Sequence, residues 1–499
     1  MHFASRAALA AAFLALIAAS PAEAAEVTPD QAKALEVQIR RWTQDTLGPD
    51  IRVADRPVQA APEGDHFRLS VPIRVTRGFK PDTIMLTGSA TRISGGRWTI
   101  EELQIPSPSS FTVEMAAPGK GRKAPGPPIP MDYTITAGSQ ESQGVYDPSF
   151  ATPSTLTTDL QDLKIVATSA LTDQLTTVRR VTGVSTMRPS GMGRVDLITD
   201  STMKGYALSA KIGGNQRVDV AAEKVRVDGE VTAASRDRIA TMVPALMRII
   251  ASDIPGALKP GSKVLTGSAS DDSAITRVMV QALQDLASEL TLEETINGLT
   301  VHYGPYGGTA SQFRIGMGMK SDDGLLQAHM DLGIDGLALP DVPLGDMTDL
   351  LPHKIALRPV VSGIPTQYLL QLIAAAGNAK AANPTPDFVP LFSRGGVSAG
   401  IESFAFDIAG ASFAGTGRAM FDSPQQMTGQ AKVTATNFDE LMQRANGVPE
   451  LTGVLPALMF AKGAGRSVDN QLVWDITYRG NRLLVNGTDL SAMMGGGRK

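Results

Sequence analysis

Residues 313–334 read FRIGMGMKSDDGLLQAHMDLGI, and this stretch decides the fold class. Phe313, Ile315, Met317 and Met319 take every second position. Leu326, Ala328, Met330, Leu332 and Ile334 do the same beyond Ser321-Asp322-Asp323-Gly324. A period of two places the apolar set on one side of an extended chain, and Asp-Gly between two such runs is a hairpin signal. A β-hairpin with one apolar face is therefore expected here.

The same grammar recurs on both sides. Phe67, Leu69, Val71, Ile73 and Val75 alternate with polar residues, and Pro72, which cannot donate to a ladder, predicts an edge strand. Short strands are expected at Ile84–Leu86, Trp98–Ile100, Phe111–Met115 and Tyr133–Ile135, with a Pro- and Gly-rich loop over Ala117–Pro130. A second strand-rich block runs from Leu160 to Val231, with turns expected at Lys204-Gly205, Gly213-Gly214-Asn215 and Asp228-Gly229. Later strands are expected at Leu299–Tyr303, Phe404–Ile408, Phe413–Phe421 and Gln430–Ala435. A closing hairpin, Trp474–Val485, turns at Arg479-Gly480-Asn481.

Helices punctuate this pattern. Thr28 as N-cap and Pro29 at the first helical position open one with Ala34, Leu35, Ile39 and Trp42 on one side, ended by Gly48-Pro49. Ile239, Met242, Val243, Leu246, Ile249 and Ile250 form a second stripe. The linker Pro255–Asp272 leads to a third, carrying Ile275, Val278, Met279, Ala282, Leu283 and Leu286. A short helix is expected around Thr366–Ala375. Asn437-Phe438-Asp439-Glu440 has the spacing of a capping box, and another helix carries Leu451, Val454, Leu455, Leu458 and Met459. The fold class is thus α+β and β-rich, with long antiparallel sheets packed against a few amphipathic helices. Both halves run strands, helix, helix, strand, which raises an internal duplication. Its boundary falls near Gly304-Pro305, dividing residues 25–304 from 305–499.

The chain opens with Arg6, an unbroken apolar run over Ala7–Ala19, and Ala22-Glu23-Ala24. That is the pattern of a secretory signal peptide covering residues 1–24, with cleavage after Ala24 and export to the periplasm. The run is shorter than the roughly 20 residues a membrane-spanning helix needs. The chain has no cysteine, which removes disulfides, thiolate metal sites, Cys nucleophiles and a lipid-bearing Cys. Its net charge of −4 lacks the basic excess of a nucleic-acid binder.

Few residues carry chemistry. Gly396-Val397-Ser398-Ala399-Gly400 matches G-x-S-x-G, the motif of a serine hydrolase. That chemistry needs a helix after the serine and a downstream histidine, whereas Phe404, Phe406 and Ile408 announce a strand and no histidine follows His353. His66, His302, His329 and His353 show no ligand-pair spacing, so no metal and no cofactor are expected. Of the adjacent acids, Asp322-Asp323 reads as a turn, Asp271-Asp272 as the approach to a helix and Glu293-Glu294 as a helix-to-strand connection. The loop cations Lys120, Arg122 and Lys123 are candidate contacts to lipid phosphates.

Residues 395–490 resemble AsmA-like and YdgA-like bacterial envelope proteins and related alphaproteobacterial periplasmic proteins. The features are Gly415-Thr416-Gly417, Ser423-Pro424, Met427-Thr428-Gly429-Gln430, Thr436-Asn437-Phe438-Asp439-Glu440-Leu441 and the Trp474–Val485 hairpin. The resemblance implies a long sheet with helices against one side and, for some relatives, a role near membrane lipids. It carries over no catalytic residue. The expected function is a non-catalytic envelope protein binding a lipid or another apolar ligand on its sheet. The chain has 20 methionines, whose flexible thioethers suit irregular apolar guests, and Met317, Met319 and Met330 are the candidate lining. The alternative is an assembly or scaffold factor that binds an envelope protein through a strand edge. A serine hydrolase is third.

Overall fold

The computed structural model describes residues 28–47, 51–53, 58–75, 79–80, 83–115, 129–147, 154–170, 172–212, 216–235, 288–343, 345–368, 389–392, 395–423, 426–480 and 482–491. The expected signal peptide, the helices over 239–250 and 272–286, the linker between them and the cations Lys120, Arg122 and Lys123 lie outside the described residues. So does most of the 366–375 helix, of which Thr366–Tyr368 is described as helical. The described chain is a β-rich α+β protein whose strand pairings are antiparallel. It divides into two compact units, Met1–Leu290 with Ile373–Ala382, and Thr291–Leu372 with Asn383–Lys499. The division falls at the start of strand β14 (Glu289–Tyr303), and Gly304-Pro305 is the turn that follows that strand.

The first unit opens with α1 (Pro29–Leu47). The Gln31 amide donates to Thr28 Oγ1 and the Thr28 amide to Gln31 Oε1, so the helix start is satisfied reciprocally. Ala32, Leu35 and Ile39 form its buried stripe, while Ala34, expected on that face, is exposed. Spacings of three and four from Leu35 select Ala32 and Ile39, and Ala34 falls beside the stripe.

After α1 come β1 (Ile51–Val53), β2 (Gln59–Glu63), β3 (His66–Val75), β4 (Phe79–Lys80), β5 (Thr83–Arg92) and β6 (Trp98–Gln104). They are followed by β7 (Ser109–Met115), β8 (Ile129–Thr136) and β9 (Ser139–Tyr146). Phe67, Leu69 and Val71 of β3 pack with Leu35, Val58, Trp98 and Ile100 in one core. Trp98 Nε1 donates to Gln38 Oε1 at 2.9 Å, tying α1 to β6. β3 is not the edge strand that Pro72 predicts. It pairs with β5 on one side and with β2 and then β1 on the other. The β2 ladder ends at Ser70 and the β1 ladder begins at Ile73, so Pro72 sits at the seam, where no donor is needed.

Four long strands complete the unit: β10 (Thr155–Ser169), β11 (Thr172–Gly191), β12 (Arg194–Ile212) and β13 (Gln216–Ser235). The first part of β10 pairs with β9 and its second part with β8. Lys204-Gly205 and Asp228-Gly229, expected as turns, lie inside β12 and β13. Gly205 takes φ 63, and a Cβ there would stand 3.1 Å from that of Arg179. The glycine serves a kink within a continuous strand, where a left-handed backbone and a close neighbour both exclude a side chain. Among the described residues, the β11–β12 reversal falls at Met192-Gly193, and the expected turn at Gly213-Gly214-Asn215 lies outside the described residues.

The second unit begins with β14. It continues through β15 (Tyr306–Asp322), β16 (Leu325–Asp335), β17 (Pro352–Pro365), β18 (Val397–Ile408), β19 (Ala411–Ser423) and β20 (Gln426–Thr436). Then come α2 (Phe438–Asn446), α3 (Leu455–Ala464), β21 (Arg466–Val468), β22 (Gln471–Arg479), β23 (Arg482–Val485) and β24 (Thr488–Asp489). Each strand from β15 to β20 pairs with the next, β20 then pairs with β22, and β22 with β23. The expected capping box at α2 does not form. Asn437 is left-handed at φ 53 and its amide donates to the Gly410 carbonyl, while Glu440 binds Arg444 four residues on.

Burial raises the Glu294 carboxyl on β14 above its ordinary value. A raised folded pKa means stability present below the unfolded value and lost as pH rises through the folded one. Glu294→Gln should therefore raise Tm slightly at pH 7 and leave it nearly unchanged at pH 4. Thermal scans at both pH values check this.

Candidate functional site

The hairpin that opened the reading is β15–β16. Phe313 pairs with Ile334, Ile315 with Leu332, Met317 with Met330, and Met319 with Ala328. Directly paired residues share a face, so the three candidate methionines stand together on one side of the sheet. The apolar set continues across the next strands: Leu332 to Leu357 and Ala328 to Val361, then Leu357 to Phe404 and Ile355 to Phe406, then Phe406 to Phe413.

Cover on this face is uneven. At the far end α2 and α3 close over it, packing Phe438 and Leu458 against Phe413, Val433 and Trp474. Trp474 Nε1 donates to the Ala461 carbonyl at 2.8 Å, so the one polar atom of that ring is satisfied under the helices. At the β15–β16 end, Met317 and Met330 are 45% and 43% exposed. Met319, Phe313, Ile315 and Leu332 around them are half-buried. The arrangement can hold an apolar group by contact and offers no reacting atom.

The opposite side of the same sheet is polar. A cleft of 610 Å³ crosses it from β16 to β22, lined among others by Gln327, Ser362, Ser398, Arg418, Gln430 and Lys432. Ser398 is buried, and its hydroxyl lies 2.7 Å from Ser362 Oγ and accepts from Arg418 at 3.0 Å. It is the second residue of a strand, and its hydrogen-bond partners among the described residues are another serine and a guanidinium. Neither is a general base. His329 lies on β16 with Nε2 3.6 Å from Asp331.

The first unit carries a larger cleft of 1230 Å³, walled by β6, β9, β10 and β11, with Glu101, Glu141, Gln143, Thr157 and Asp159 in its lining. Asp159 is taken up by an ion pair with Arg180, which holds the Arg180 pKa above its ordinary value. No group of three or more His, Asp or Glu suited to a metal ion occurs among the described residues. No described helix is long and apolar enough to cross a membrane.

Periodicity placed the three methionines on one face. It could not reveal the Ser362–Ser398–Arg418 cluster, whose members come from three strands and meet only through register. Set against known protein families, curated proteins and solved structures, the chain matches none.

Proposed function

We propose that this is a non-catalytic periplasmic envelope protein that holds an apolar ligand, a lipid or its acyl part, against the apolar face of its second unit. The observation that carries the reading is the opposed pair Met317 and Met330, 45% and 43% exposed on a face whose helical cover among the described residues, α2 and α3, lies at its other end. A contiguous apolar surface left open to water marks an interaction site more often than isolated exposed side chains do. Covering the exposed parts of two methionines gains on the order of 2 kcal/mol, which alone is more than tenfold in affinity. The surrounding half-buried Phe313, Ile315 and Leu332 add to it.

Titrating the purified protein with a fluorescent fatty acid tests this. Saturable enhancement displaced by unlabelled fatty acid is the expected result. A linear, non-displaceable signal would count against the proposal.

A further inference from the structure

On the polar side of the second unit's sheet, we infer a binding site for a small hydroxylated organic anion, one bearing a phosphate or carboxylate group. It stands on observations separate from the apolar face.

The first observation is charge. Four charged side chains line the cleft: Glu402, Arg418, Lys432 and Asp475. The two acids are already engaged, Glu402 by Arg358 at 2.9 Å and Asp475 by Arg466 at 3.0 Å. Arg418 and Lys432 have no carboxylate partner among the described residues. The cleft therefore keeps two cations that form no ion pair among the described residues, one of them a guanidinium whose fork matches an oxyanion.

The second observation is register. Arg418 pairs with Gly400 on one side and Gln430 on the other. Lys432 pairs with Thr416 and Asp475. Both cations thus stand on the same face, two residues apart along adjoining strands. Gly400 packs directly against the Gly417 carbonyl and the Arg418 backbone, so that position admits no side chain. A bulge at Gly363, with φ 82, shifts β17 so that Ser362 pairs with both Gln327 and Ser398. A Cβ at Gly363 would stand 2.7 Å from the Gly396 carbonyl, so the bulge depends on glycine.

The third observation is the hydroxyl chain. Ser398 accepts from Arg418 and shares one hydrogen bond with Ser362. Two hydroxyls joined by one hydrogen bond leave one O–H over, whichever of them donates. That donor has no protein acceptor among the described residues. Where Ser362 donates, the spare donor is the buried Ser398 hydroxyl held by Arg418; where Ser398 donates, it is the half-buried Ser362 hydroxyl. Gln327, Gln430, Thr416 and Thr477 add amides and hydroxyls suited to a polyol. The cleft, 610 Å³ and open to solvent, has more room than a bare inorganic anion requires.

Isothermal titration of the full chain with glycerol 3-phosphate, inorganic phosphate and glycerol is the test, at low and at physiological salt. Glycerol 3-phosphate should bind more tightly than phosphate, glycerol should not bind, and affinity should fall as salt rises. Arg418→Gln should weaken glycerol 3-phosphate by about tenfold or more, and Arg418→Lys by less. Lys432→Gln removes a side chain with no ion pair and serves if Arg418→Gln does not fold. It should weaken binding several-fold with Tm unchanged. Sedimentation with phosphatidylglycerol vesicles separates two sources of the same chemistry. Sedimentation lost in Lys432→Gln assigns the cleft to a lipid headgroup, and binding of glycerol 3-phosphate without sedimentation assigns it to a soluble anion. No binding of glycerol 3-phosphate or vesicles by the wild type, or equal binding by a folded Lys432→Gln and Arg418→Gln, overturns the site. Fatty-acid binding should be untouched in both variants, so failure here is distinct from failure of the apolar face.

Discussion

Phe67→Ala should destabilise the first unit by about 3–5 kcal/mol. Phe67 is 1% exposed and meets Trp98 edge-on with ring centroids 5.9 Å apart. It lies in the core that joins α1 to β3 and β6, so truncation opens a cavity beneath the helix and removes an aromatic contact. Leu69, Trp98 and Ile100 beside it are strand residues held in paired ladders, which limits collapse into the space. Denaturant unfolding followed by tryptophan fluorescence should show the first transition moving to lower denaturant. Because the chain has two units, that transition must be assigned before a free energy is drawn from it. A loss below about 1 kcal/mol would mean the helix does not depend on this core.

The second large effect falls on binding. Met317 and Met330 oppose each other directly across β15 and β16. Met317→Lys combined with Met330→Glu places opposite charges across that pair, where attraction contributes roughly 0.2–1 kcal/mol and helps keep the hairpin. Both sites are already open to water, so neither charge is buried without a partner. The same change puts two ions on the surface an acyl chain would cover, and desolvating them opposes binding by several kcal/mol. Fluorescent fatty-acid binding should fall by more than a hundredfold while Tm shifts by only a few degrees. Met317→Asp alone should act in the same direction. A variant that cannot fold would place Met317 in a packed core, and a folded variant with unchanged binding would remove the apolar face from the function.

What could be read in the sequence was local. The β15–β16 hairpin followed from strict alternation about Asp323-Gly324, and the start of α1 from Thr28-Pro29. The errors share a physical cause: one backbone conformation serves more than one purpose. Gly205 and Asp228-Gly229 carry turn chemistry, yet they sit in strands of 19 and 20 residues whose apolar neighbours continue the pleat. Pro72 lacks a donor wherever it stands, and only the arrival of β1 and β2 on the same side of β3 shows why none is missed. Asn437 has the composition of an N-cap, but a left-handed backbone turns its side chain to Gly410 instead. The apolar lining was legible because its members alternate within one hairpin. The Ser362–Ser398–Arg418 cluster was not, because it depends on register across three strands and on a bulge at Gly363.

Mass spectrometry of the protein purified without detergent bears most directly on the central claim, that the second unit's apolar face holds a lipid or acyl chain. Native spectra of the wild type should show adducts that organic extraction releases as acyl-bearing molecules. The Met317→Lys, Met330→Glu protein, prepared alongside, should lack them. Wild-type protein free of any apolar adduct, or adducts retained equally by the folded double variant, would contradict the claim.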